Sequence, residues 1–456
     1  MLRSSSVCAP LLVLFAGSCL VACGSDEASS SPVGAGGSGG SVDAAIDSAS
    51  GAGGSAGSGG NAGTDSGAAG QGQDASNDAP AQDGSDAAVD SGPTCGRVPG
   101  PEDADRIAVV SHPYDTAGKK AEVYELLTLN AAGTLAYTGE KFNMGRSYMG
   151  NVVFTPDGKV GIVSQDEDGT LGSFRINAAG HAEVVQAKFK GGFYAGPIVM
   201  HPSGDRLYVL DSEWANIGGG VYSVRIGCDG TLTEEGKLIE AKLPYSLVPI
   251  PGKPGQAAIA AKDLLSSAAG DDAHLVTIEP SIQKLASADA FADDQQIIAS
   301  GAATPDGKFV LFGDNNEYGT TPNRIAVLEV GDSTLTMKQM LPDMLDPLAI
   351  LVSPYEDVAI VVSGYGNAIQ VLKYDASNAT TPFSLVGPLS YKGAKPQLPG
   401  GAVMVDRGTL KGRVLVAENE GVRMVQFAQG TGVSDLGVLP SGGGMEGMVG
   451  VVGVQP

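Results

Sequence analysis

Met200-His-Pro-Ser-Gly-Asp-Arg-Leu-Tyr-Val-Leu-Asp211 reads as the end of one strand, a tight Pro/Gly turn, and a second strand of apolar β-formers. Pro presets one turn dihedral and Gly supplies the freedom that the next requires, so the stretch predicts a hairpin. Two more copies stand at Phe154-Thr-Pro-Asp-Gly158 before Val160-Gly-Ile-Val163, and at Ala303-Thr-Pro-Asp-Gly307 before Phe309-Val-Leu-Phe312. One hairpin cannot bury its apolar face alone, so repetition at a fixed period predicts a closed or stacked array.

The apolar runs of this kind begin beside Arg106, Lys159, Arg206, Gln256, Lys308, Asp357 and Arg413, at spacings of 53, 47, 50, 52, 49 and 56 residues. Each is followed by a loop, a third strand such as Leu171–Ile176 or Val422–Phe427, a short turn and a fourth strand. Four strands in roughly 50 residues, seven times over, predict an all-β fold, a seven-bladed β-propeller over 96–456. A pair of β-sandwiches is the alternative. No inner strand precedes Arg106, and the chain ends on the apolar run Gly447-Met-Val-Gly-Val-Val-Gly-Val454. That run is predicted to be the missing strand of blade one, closing the ring and leaving no open sheet edge.

The N-terminal fifth is of another kind. Arg3, the mostly apolar stretch from Val7 to Phe15, and Leu20-Val-Ala-Cys23 resemble a bacterial lipoprotein signal peptide over 1–22, with Cys23 as the lipidated residue. Residues 24–94 are Gly, Ala, Ser and Asp with ten acidic residues and no Lys or Arg. Such a segment has too little apolar surface to offset the cost of ordering its backbone, so 23–95 is read as a disordered tether. As a flexible coil of about 70 residues it reaches roughly 45 Å. The tether carries −10 of the formal net charge of −23, and the remainder has no basic stripe. That argues against nucleic acid or an anionic membrane face as a partner. Membrane attachment would come from the lipid alone, with the cell envelope, on the outer membrane, as the expected address. Cys95 and Cys228 are the cysteines left in the exported domain. They either form a disulfide or stay as two thiols; propeller geometry puts both on one face, and the segment between Cys95 and Arg106 can span about 33 Å, enough for them to pair.

The long loops all fall on the opposite face, the mouth, where a site is expected because rigid scaffolds carry binding residues on their loops. They include 141–150, 211–218, 262–273, 314–319, 341–347 and 391–401. Tyr148, Tyr194, Trp214 and Tyr365 suit ligand contact there. Gln165-Asp-Glu-Asp-Gly169 and Asp314-Asn-Asn-Glu317 offer hard oxygen ligands of the kind calcium takes, although neither matches a twelve-residue calcium loop. No cofactor motif is present.

The Phe-Thr-Pro-Asp-Gly-Lys and His-Pro-Ser-Gly-Asp-Arg-Leu-Tyr-Val units resemble those of the seven-bladed lactonase family and the related YVTN surface propellers, over about 100–456. The resemblance implies a histidine five residues before the turn Pro, but Asn151, Pro197, Ser300 and Ala349 stand there. A carboxylate after the second strand has matches in Glu213, Asp166 and Glu420, the last preceded by Asn419. His112, at the mouth end of its strand, is the best placed of the four histidines for general base work; His201 is read as structural, His181 and His274 as solvated. The leading reading is therefore a lipid-anchored binding or scaffold propeller for a protein, glycan or small ligand. A lactonase-like hydrolase using Glu213, Glu420, Arg146 and His112 is the alternative.

On the anchoring reading, Cys23→Ala releases the protein from the membrane fraction into the soluble one. A variant that still sediments with membranes would rule out the lipid.

Overall fold

The computed structural model describes residues 95–211, 219–264, 270–279, 281–291, 298–315, 322–430, 432–441 and 448–456. The signal peptide, the tether and Cys23 lie outside the described residues. What is described is a ring of seven four-stranded antiparallel blades, a seven-bladed β-propeller. The second strands begin at Arg106, Val160, Arg206, Gln256, Phe309, Val358 and Arg413, at or one residue after the predicted starts. The only helix among the described residues is a 3-10 turn, Gly408–Leu410.

The hairpin turns form as their chemistry dictates. In Thr155-Pro-Asp-Gly158, Thr155 Oγ1 donates to Asp157 Oδ1 at 2.6 Å, and the Gly158 N–H reaches Thr155 O at 2.7 Å. The Gly158 φ of 68° is one that L side chains resist.

Both faces of every blade are covered. In blade one, Ala108 and Val110 pack toward Leu415 and Ala417 of blade seven, while Val109 between them packs toward Val163 and Phe174 of blade two. Seven buried clusters lie one at each seam. A strand buried on both faces must be apolar throughout, which is why the second strands read as unbroken apolar runs.

Two features were not foreseen. Blades three and four share one strand, Leu232–Pro249, whose first half pairs with Gly220–Ile226 and whose second half pairs with Gln256–Leu264. It turns the corner around Leu243, at φ 52°, where the register slips twice. In addition, the third and outer strands of all seven blades pair with a register shift. A bulge bends its strand and increases twist, so each outer strand turns away from the one inside it. Gly236 and Gly437, at φ 117° and 106°, sit in those outer strands where a side chain would be strained.

The ring closes where the terminal strand Val452–Val454 pairs with Arg106–Tyr114, setting Ala108 against Val454 and Val110 against Val452. It is shorter than the predicted run, which continues as irregular chain: Gly450 N–H reaches Ser111 O at 3.0 Å, and Ser111 N–H reaches Val451 O at 3.1 Å. A Cβ on Gly453 would sit 2.5 Å from Val152 Cβ, so the last strand fits against blade two only as glycine. On the hairpin-turn face, Cys95 and Cys228 are bonded with their Cα atoms 5.2 Å apart. Arg97 Nη2 donates to Gly227 O at 2.9 Å beside that bond.

Closure rests on few pairs, so burying a charge there should open the seam. Val452→Asp is expected to cost more than about 3 kcal/mol, read as a fall in denaturant midpoint against wild type. A midpoint unchanged within error would show that the terminal strand does not hold the ring.

Candidate functional site at the mouth

The best defined part of the mouth lies between blades one and two. The loop entering blade two carries Arg146, whose guanidinium meets the Glu167 carboxylate and lies over the Tyr114 ring, 5.8 Å from its centroid. Tyr148, two residues on, meets Tyr114 edge to face at 6.1 Å. The result is a cation paired with a carboxylate and laid over one phenol ring, which a second phenol ring meets edge to face.

Asp166 sets the path of this loop. Its carboxylate accepts the N–H groups of Tyr148 at 2.8 Å, Met149 at 3.0 Å and Gly150 at 2.9 Å. Asp168 Oδ2 takes the Arg146 N–H at 2.8 Å. The loop can lie this close to blade two only because a Cβ is missing at Gly150, where it would come 2.2 Å from Ser164 O. Burial raises the Asp166 pKa from its ordinary value, and the three N–H groups pull it back. Burial, then Tyr114 and Asp166, push the Tyr148 hydroxyl up to about 12, so it remains a donor at neutral pH.

Two other mouth-face carboxylates act on loops as Asp166 does. Asp272 accepts Ala290 N–H at 2.8 Å and Phe291 N–H at 3.2 Å. Asp435 accepts Lys392 N–H at 2.7 Å and joins Glu418 around the buried Arg423. Arg423 in turn donates to Ala394 O at 2.8 Å and lies over the Tyr391 ring, which ties the loop before blade seven to that blade.

The residues singled out in the sequence do not converge. Arg146 and Tyr148 stand together. Glu420 and Asn419 are exposed in the turn of blade seven, where the Asn419 N–H reaches Gln397 O at 2.8 Å. Tyr194 is 37% exposed, its ring against Gly169. Glu213, Trp214 and Glu317 lie outside the described residues. His112 does not reach the mouth surface: it is 0% exposed in the seam with blade seven, its Nε2 3.4 Å from Glu125 Oε2. His274 corrects its assignment to a solvated loop. It lies in the strand Ala273–Thr277, fully buried, with Nδ1 2.8 Å from Ser287 Oγ and Nε2 3.0 Å from Ala261 O. His181, in the turn before the outer strand of blade two, contacts Glu140 in the outer strand of blade one, and His201 sits in the hairpin turn of blade three.

No group of three or more His, Cys, Asp or Glu that could hold a metal occurs among the described residues. In the first acidic loop raised for calcium, Glu167 faces Arg146 and Asp168 faces Lys188 at 3.1 Å; in the second, Asp314 faces Arg324 at 3.1 Å. Tyr114 was missed as a mouth residue, and Glu167, raised only as a calcium ligand, was missed as the partner of Arg146. The signal for Tyr114 was its place at the mouth end of a second strand, beyond His112.

A cleft of about 560 Å³ lies at the outer seam of blades five and six, lined by residues that include Gln339, Met340, Lys373, Asp375 and Phe383. It belongs to the outer strands rather than the mouth.

No family model and no curated protein matches the chain. Solved structures do. A Bacteroides fragilis protein provisionally named a 6-phosphogluconolactonase is 12% identical with a TM-score of 0.56, over 78% of this chain and 99% of that one. The periplasmic gluconolactonase of Pseudomonas aeruginosa is 15% identical with a TM-score of 0.55, over 77% and 99%. A Lactobacillus plantarum protein is 12% identical with a TM-score of 0.55, over 77% and 100%. At these identities what is shared is the fold, a propeller of the lactonase type.

Asp272 gives the mouth face a pH dependence. Burial pushes its pKa up to about 7, above the ~3.9 of an unfolded aspartate. Folding thus favours the protonated acid, and its stabilising effect is full below about pH 4 and lost as pH rises through about 7, by up to ~1.4 kcal/mol per unit. Asp272→Asn should flatten the decline of the melting temperature from pH 4 to 8. An identical slope in variant and wild type would contradict it.

Proposed function

We propose that the protein is an exported, lipid-anchored propeller that hydrolyses small lactones at the mouth between blades one and two. The observation that carries this reading is the Arg146–Glu167 pair, its guanidinium over the Tyr114 ring, with Tyr148 set against that ring. Ester-ring hydrolysis needs a donor for the oxyanion, a base for the water and a donor for the departing alkoxide. Arg146 supplies the first and Glu167 the second, while the Tyr148 hydroxyl, protonated at neutral pH, supplies the third. The lactonase names borne by two of the structurally similar proteins agree with this class of substrate. Anchoring through Cys23 and spacing by the acidic tether would place the enzyme at the outer membrane of the cell envelope.

A second reading, a binding module for a protein or glycan, is favoured by one further observation. Leu345, Tyr365 and Leu398 are 44%, 36% and 37% exposed on mouth-face loops of blades six and seven. Apolar groups gathered on a functional face suit a partner.

The two readings part on a panel of five- and six-membered lactones, sugar lactones included. Hydrolysis above background that falls at least ~100-fold in kcat/KM for Arg146→Ala, about 3 kcal/mol of transition-state stabilisation, supports the enzyme. No turnover of any lactone by folded wild type removes it and leaves the binding module.

A further inference from the structure

On the face opposite the mouth, a serine, a histidine and a glutamate from two blades form one hydrogen-bonded row. His201 and Ser203 belong to the hairpin turn of blade three, and Glu279 follows the third strand of blade four. Ser203 Oγ lies 2.6 Å from His201 Nδ1, and His201 Nε2 meets Glu279 Oε1. The histidine is 7% exposed, packed edge to face on Tyr208 with ring centroids 5.7 Å apart, while Ser203 is exposed. In the equivalent turns Thr155–Asp157 and Thr304–Asp306, a hydroxyl and a carboxylate cap the hairpin at 2.6 Å. Neither has a base. Among the described residues, only blade three puts an imidazole next to the exposed hydroxyl and a carboxylate behind the imidazole.

We propose that Ser203 is a nucleophile toward small activated esters, with His201 as its base and Glu279 as the residue that positions the base. A carboxylate at Nε2 keeps the proton on that nitrogen, which leaves Nδ1 as the acceptor; it takes the Ser203 backbone N–H at 3.1 Å and faces the closer Ser203 hydroxyl, whose proton it can receive as that longer bond is given up. Ser203 Oγ attacks the ester carbonyl carbon, and its proton passes to His201 Nδ1. The C–O bond to the alcohol then breaks, and the alcohol departs with that proton, leaving acyl-Ser203. Water repeats the sequence: its proton goes to Nδ1, the acyl–Oγ bond breaks, and Ser203 recovers the proton as the acid leaves. Asp205 Oδ1 also contacts Ser203 Oγ and competes for the hydroxyl, and Ser203 lies open to solvent. Good leaving groups are therefore required. This site is independent of Arg146, on the other face of the ring.

The test is labelling of the full chain, exported and oxidised, with a fluorophosphonate, followed by peptide mapping and p-nitrophenyl acetate turnover. The expected adduct is on Ser203, absent in Ser203→Ala and slowed at least tenfold in His201→Ala. Glu279→Gln should retain labelling but displace its pH profile, an effect that a merely structural residue would not have. Asp205→Asn should label at least as fast as wild type. Failure to label Ser203, or an equal labelling rate in His201→Ala of unchanged melting temperature, overturns the proposal. Loss of lactone hydrolysis in Arg146→Ala bears only on the mouth.

Discussion

Everything in the domain depends on the antiparallel pairing of Val452–Val454 with Arg106–Tyr114. A blade is apolar on both faces, so a row of seven would leave two faces uncovered, one on blade one and one on blade seven. Closing the ring covers both against each other, and the seam so formed is as dry as the rest: Leu127, Leu415 and Ala417 are all 0% exposed there. Gln455 completes the join by accepting the Ile107 N–H at 2.8 Å and donating to Gly158 O of blade two at 2.7 Å. Pairing between segments this far apart in the chain forms late and at a high entropic cost. The ring therefore holds as a whole or opens at this point.

Because the scaffold is closed, the loops have no freedom to find their own path, and short polar contacts decide where they lie. Asp166, Asp272 and Asp435 each spend a carboxylate on backbone N–H groups. A buried N–H without a partner costs more than a made hydrogen bond contributes, so removing such an acid is worse than its own bonds suggest. At Asp166 the carboxylate has a structural duty that needs no catalytic partner.

The period, the turns and the closing strand were legible because each is a local signal: Pro and Gly at fixed offsets, then an apolar run buried on both faces. The shared strand Leu232–Pro249 was not, since its corner at Leu243 carries no Gly or Asn to mark it, and only the packing of two blades puts a leucine at positive φ. Likewise, the slip between third and outer strands leaves a glycine in some blades and no mark in others. The site was less legible still. Arg146 and Glu167 stand 21 residues apart on different connections, and their meeting is a product of register. His274, close after Asp271 and Asp272, reads as a loop position, yet its two ring nitrogens are satisfied within the blade, so burial costs little.

The mouth pair also constrains what chemistry can follow. Arg146 is nearly enclosed, with a side-chain exposure of 9%, whereas Glu167 keeps 30%. A ligand that offers an oxygen to the guanidinium must therefore displace the more exposed partner, the carboxylate. On the proposed reading that exchange has two effects at once: it seats the carbonyl on Arg146 and leaves Glu167 uncoupled beside it, with its lone pairs turned to solvent and able to take a proton from water. A neutral ester competes poorly with a carboxylate for a guanidinium in the ground state, but the oxyanion of the tetrahedral intermediate does not. The pair is thus biased toward the species formed in the transition state, which is the condition for an interaction to accelerate a reaction rather than merely bind its substrate.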